Sequence, residues 1–145
     1  MPLPFPHEYK VELDQAEGSL ATLKGESEPS LRGGPPPHFD GPGGVWSPET
    51  LLLGAVELCY FTTLRSLTRR QNVGFTNYGS TIRGYLDKST AGIVFSRIEL
   101  DVSLQASTAD LEKLRALLQS AKKYCIISNA LKTEVQLKID LSAND

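Results

Sequence analysis

Gly41-Pro-Gly-Gly-Val-Trp-Ser-Pro-Glu49-Thr-Leu-Leu-Leu-Gly-Ala-Val-Glu-Leu-Cys59 joins a loop to a helix with a sharp boundary. Upstream, Gly33–Gly44 is dense in glycine and proline and reads as an ordered surface loop, a common carrier of function. Ser47 is a good N-cap, and Pro48 falls at the first helical position, where its missing N–H is no loss. Glu49 in the first turn suits the positive end of the helix. The helix is predicted to run to about Arg70, where Asn72 and Gly74 stop it. Between Leu51 and Leu64 its only charge is Glu57. A helix apolar on nearly every side is expected to be buried on nearly every side, with a partner subunit completing the burial. Arg65, Arg69 and Arg70 complement its C-terminal dipole.

Working outward, residues 8–14 alternate, with Tyr9, Val11 and Leu13 on one face, which predicts a half-buried strand. Gly18 marks a turn, and Ser19–Lys24 reads as a second strand. After the helix, Tyr78, Ile82 and Leu86 line one face of a long strand. Val94, Ile98, Leu100, Val102 and Leu104 line one face of the next. Lys88–Gly92 is the turn of this hairpin. Ser107 is predicted to cap a second helix, with Asp110 as its capping-box partner. Leu111, Leu114, Leu117, Leu118 and Ala121 form that helix's apolar stripe. Tyr124–Leu131 reads as a further helical turn, and the last strand alternates through Val135, Leu137, Ile139 and Leu141. Strands cluster rather than alternate with helices, so the class is α+β, with mostly antiparallel sheets around a long buried central helix.

The chain has 145 residues, enough for one domain over 1–145 with a sizeable core of its own. Hydrophobic residues are 40% and charged residues 22%, which excludes global disorder. The net charge of −2 gives no electrostatic reason to bind nucleic acid. No apolar run approaches the roughly 20 residues that span a bilayer. Met1–His7 has neither a basic nor an apolar signal-peptide region, so a cytoplasmic location is expected.

In a reducing compartment, a cysteine pair is more often catalytic, sensing or simply buried than a permanent cross-link. Cys59 sits mid-helix with Ala55, Val56, Thr62 and Thr63 one turn away, where a core thiol acts as a small hydrophobe. Cys125 follows Lys122 and Lys123 and opens a helical turn, and both features lower a thiol pKa. Bare electrostatics therefore selects Cys125 as the reactive thiol. The two can form a disulfide only if folding brings their Cα atoms within about 7 Å. Together with His7 and His38 they match no zinc template, so no metal is expected, and nothing in the sequence calls for a cofactor.

The Gly41–Cys59 stretch resembles the signature of the OsmC/Ohr family: a Gly-rich loop, Ser-Pro-Glu, a buried helix, and a cysteine ten residues after the glutamate. Tyr124-Cys125-Ile-Ile-Ser-Asn-Ala-Leu131 resembles its second cysteine motif, and the order of elements matches along essentially the whole chain. The resemblance implies an OsmC-like fold in an intertwined homodimer. It implies thiol-dependent reduction of organic hydroperoxides, with Cys59 peroxidatic, Cys125 resolving, and an external dithiol as reductant. It thus reverses the electrostatic choice between the two thiols. In the family an arginine, oriented by the glutamate matching Glu49, stabilises the thiolate. Here Glu17-Gly18-Ser19 carries no arginine at one of its usual positions, and His38-Phe39-Asp40-Gly41 stands where the other branch has Arg-Phe-Glu-Gly. His38, or Arg32 upstream, is the candidate replacement. A histidine cation is lost near pH ~6.5, whereas an arginine stays charged.

Two other classes of function fit the same residues: an OsmC-like dimer that binds an apolar small molecule or senses redox state without turnover, and a protein whose thiols are only core residues. Glu57 calls for an arginine partner or a subunit interface, because an unpaired buried carboxylate is expensive. Phe39 and Trp46 read as loop anchors or as walls of an apolar pocket. His7 is assigned no role.

Overall fold

The computed structural model describes residues 3–145 and divides the chain into two compact units, Met1–Leu51 and Leu52–Asp145. In the first, strands β1 (Glu12–Gln15), β2 (Ala21–Lys24) and β3 (Leu31–Gly33) form an antiparallel sheet in that order. β1 is shorter than the alternation of residues 8–14 predicts and is exposed throughout, not half-buried. Alternation marks a face that could be covered, but here Tyr9, Val11 and Leu13 are open to solvent. β3 takes up the start of the predicted loop: Leu31 pairs with Leu23, and the Gly34 N–H donates to the Trp46 carbonyl. A 3-10 turn, Pro37–Phe39, follows. Asp40 closes it with a positive φ of 60°, its N–H donating to the Pro37 carbonyl. Phe39 and Trp46 are about half exposed.

Helix α1 (Pro48–Gln71) begins where the sequence places it. Ser47 is buried and makes a reciprocal cap with Thr50: the Thr50 N–H donates to Ser47 Oγ (3.2 Å) and the Ser47 N–H to Thr50 Oγ1 (3.0 Å). The helix ends at Asn72, whose φ of 56° turns the chain away. Only one stripe of α1 is fully buried: Val56, Tyr60, Leu64 and Thr68, spaced four apart. Composition makes the other faces apolar, yet Leu58 stays 64% exposed.

In the second unit, β4 (Thr76–Ser89) and β5 (Gly92–Ala106) form the expected hairpin. β6 (Val135–Ala143) pairs with β5 in parallel, Leu100 against Leu137 and Val102 against Ile139. A parallel neighbour needs a crossover, and α2 (Leu111–Tyr124) supplies it, burying Leu114, Leu118 and Ala121. The core-facing residues of β5 are Ile98, Leu100, Val102, Leu104 and Ala106. Val94 is not among them. Tyr85 pairs with Arg97 but Leu86 with Phe95, so a bulge inserts Ser96 and reverses the alternation. Beyond it Phe95 packs on the core, while Val94 and Leu86 are exposed.

Ser107 and Asp110 do not form the predicted capping box. Ser107 precedes a 3-10 turn, Thr108–Asp110, and makes no side-chain cap. The Asp145 carboxylate accepts from the Thr108 N–H and hydroxyl instead, and Asp110 accepts from the Gly74 N–H (3.4 Å). Cys125 separates α2 from a single turn, α3 (Ile126–Asn129). Among the described residues, no helix is long and apolar enough to cross a membrane.

Candidate active site

The two cysteines belong to the same unit, and the fold makes their thiols direct neighbours, close enough for the Cys59 side chain to act on the ionisation of Cys125. Both are free thiols. Cys59 lies beside the buried stripe of α1 and is half-buried, with its carbonyl accepting from the Thr62 hydroxyl (3.1 Å). Cys125 is at the break between α2 and α3, in extended conformation (φ −67°, ψ 108°) and 1% exposed. The break is local chemistry: helical bonding resumes at once, with the Asn129 N–H donating to the Cys125 carbonyl (3.1 Å).

Burial pushes the Cys125 thiol up, the Ser128 hydroxyl and N–H pull it down, and the neighbouring Cys59 raises it further; burial is the largest effect and the net shift is upward. This removes the electrostatic reason for selecting Cys125 as the reactive thiol. Lys122, expected to help it ionise, gives its ammonium to Glu134 at 3.0 Å. Desolvation of a thiolate among Leu100, Val135 and Leu137 outweighs what remains. A gap of about 10 Å³ beside the thiol is lined by Val56, Tyr60, Lys122 and Ser128, and is no larger than one water needs. Lys122 and Ser128 also line an open cavity of about 520 Å³, with Lys123, Asn129 and Lys132.

In the other unit, Arg32 is exposed on β3 opposite Thr22, and His38 is exposed in the 3-10 turn. Glu49 is half-buried in the first turn of α1, and its Oε1 is buried without a hydrogen-bond partner. Among the described residues, Glu57 has no arginine partner. The Ser80 hydroxyl on β4 donates to its Oε2. Tyr78, on the same strand face, has its hydroxyl buried without a hydrogen-bond partner and its pKa pushed up to about 12, by burial first and by the Glu57 carboxylate as well. Ser80 is near enough to ease that ionisation but does not close a hydrogen bond.

The sequence reading passed over Ser80 and gave no role to Ser128. The signal for Ser80 was its i, i+2 spacing from Tyr78 on a face that had to meet a helix carrying one carboxylate. Among the described residues, no three His, Cys, Asp or Glu side chains converge to hold a metal ion.

Comparison with known proteins bears on this arrangement. A curated relative, Uncharacterized protein YmaD of Bacillus subtilis strain 168, is 26% identical over 111 residues, 74% of each chain. Peroxiredoxin OsmC of Escherichia coli K12 is 27% identical over 106 residues, 73% of each. Among solved structures, an OsmC-like protein of unknown function from Vibrio cholerae superposes with a TM-score of 0.83 at 18% identity, covering 92% of this chain and 99% of that one. That likeness shows the fold. The family model for OsmC-like proteins matches residues 41–140, a span that holds both cysteines and Glu49, and on this match the chain belongs to the OsmC-like protein family.

Proposed function

We propose that the protein is a thiol-dependent peroxidase that reduces organic hydroperoxides through Cys59 and Cys125. Family membership supports a peroxiredoxin-like role in redox stress. The observation that carries the finer reading is the pairing of a half-buried thiol with a buried one beside it. Cys59 is the one an incoming peroxide can reach. Its thiolate attacks the terminal peroxide oxygen, the O–O bond breaks, and the alkoxide leaves and takes up a proton as the alcohol. Cys59 becomes a sulfenic acid. Cys125, kept protonated by burial, then attacks the oxidised sulfur; a disulfide forms and water leaves. An external dithiol reduces that disulfide by two exchange steps.

Ionising Cys59 calls for a cation. A buried carboxylate oxygen without a partner is uncommon and asks for an explanation, and Glu49 Oε1 is one. The reading gives Glu49 the orienting role and His38 or Arg32 the cation. His38→Ala and Arg32→Ala tell the two apart, because only loss of the cation that stabilises the thiolate slows sulfenic acid formation. The reading also takes residues 1–145 as a single OsmC-like domain in a cytoplasmic homodimer. The exposed Leu58, Tyr124 and Ile126, which neighbour the cysteines in sequence, support a second copy as their cover.

The test is hydroperoxide consumption supported by a dithiol. Cys59→Ser is expected to abolish it, and Cys125→Ser to leave a single turnover that ends in a trappable sulfenic acid. Unchanged consumption in Cys59→Ser rejects the reading.

A further inference from the structure

We infer that Ser128 activates the resolving thiol: its hydroxyl and N–H receive the Cys125 sulfur as that sulfur gives up its proton to attack oxidised Cys59. The inference deepens the peroxidase reading and rests on it. The Cys125 sulfur forms a bond to the Cys59 sulfur, and the S–O bond of the sulfenic acid breaks. The departing hydroxide combines with the proton released by Cys125 and leaves as water. Cys125 is oxidised, the Cys59 sulfur is reduced, and Ser128 is unchanged.

The geometry points to Ser128 in three ways. It lies three residues after Cys125, one turn into α3, so its side chain bends back over the break; its hydroxyl donates to the Cys125 carbonyl at 3.2 Å. It lines the small gap beside the thiol. The other groups around that sulfur are unsuited to the task. On β5 and β6 they are the aliphatic Leu100, Val135 and Leu137. On α1 they are Cys59 itself and Tyr60, whose hydroxyl is committed to the Leu118 carbonyl at 2.8 Å and whose pKa burial raises. On α2 Lys122 is paired with Glu134. Ser128 is thus the neutral donor held against Cys125 itself, its hydroxyl resting on that residue's own carbonyl, beside a sulfur that must carry charge for the length of one reaction step. Both its hydroxyl and its N–H favour the thiolate, against the burial that opposes it.

The test separates the two readings. In Cys59→Ser, Cys125 is the sole thiol, and its titration is read from thiolate ultraviolet absorbance after subtraction of a variant lacking both cysteines. Adding Ser128→Ala is expected to move that titration upward by about one pH unit, the worth of a hydrogen bond to a charged group. Ser128→Thr, which keeps the hydroxyl, should restore it. In the two-cysteine protein, Ser128→Ala should form the Cys59 sulfenic acid at the wild-type rate and close the disulfide about tenfold more slowly near neutral pH, with the pH profile of closure displaced upward. A titration that stays in place, or a threonine variant that behaves like alanine, overturns the inference. A wild type that forms no sulfenic acid with an alkyl hydroperoxide overturns the peroxidase reading, and the titration still tests Ser128 as a donor to Cys125.

Discussion

Tyr78 offers an unusual prediction: removing a native hydroxyl should make the protein more stable. Tyr78 packs edge-on against Phe61 and near Phe75, so its ring has apolar company on both sides. Its hydroxyl is buried without a hydrogen bond, and Ser80, on the same strand face, donates to Glu57 instead. An unsatisfied buried polar group is destabilising by about 1–3 kcal/mol. Tyr78→Phe keeps the ring contacts and deletes the orphan, so it should stabilise by about 1 kcal/mol at pH 7. The alkaline limb adds a second signature. The folded phenol is raised from 10.0 to about 12, so the native state binds the extra proton between these values and stability falls as pH rises through them. Two pKa units correspond to about 2.7 kcal/mol at the end of that window, and half of it at its centre. The advantage of Tyr78→Phe should therefore widen from about 1 kcal/mol at pH 7 to about 2 kcal/mol or more near pH 11. Urea unfolding midpoints at both pH values, at one protein concentration and under reductant, measure it; an unchanged slope shows that stability itself has moved. A variant less stable than wild type by 1 kcal/mol or more at pH 7 would mean that the hydroxyl is satisfied and the reasoning wrong.

Two further predictions concern the loop and the helix start. A Cβ at Gly41 would lie 1.8 Å from the Pro35 carbonyl oxygen, a backbone atom that cannot swing aside, so Gly41→Ala should destabilise by about 2 kcal/mol or more, read as a lowered thermal midpoint. Ser47→Ala removes one half of the reciprocal cap with Thr50 and should lower stability by about 1 kcal/mol in urea, whereas Ser47→Asp should keep most of it.

Much of the fold was legible because its signals are local. Ser47-Pro48 fixes where α1 begins, since an oxygen that satisfies a free N–H and a ring that preorganises φ act within one turn. The stripe of α2 and the alternation of β6 likewise follow from residue spacing alone, and the structure reproduces both. The failures are equally particular. One extra residue at Ser96 reversed the inside and outside of a strand end, and no local propensity marks that position. Asp110 and Ser107 have the right spacing for a capping box, but Asp145, from the far end of the chain, takes the helix start.

The site divides along the same line. Sequence alone determined that the chain carries two cysteines, each in a recognisable surrounding motif, with a glutamate at the head of the helix that bears the first. It could not determine whether Cys125 ionises easily, because neighbouring lysines in sequence count only if their charge reaches the sulfur through a medium of known polarity. Folding decided that. It set Cys125 among aliphatic side chains, turned Lys122 toward Glu134, and brought Cys59 alongside. Desolvation and pairing are properties of what surrounds an atom in space, and residues far apart in the chain supply those surroundings only once it has folded.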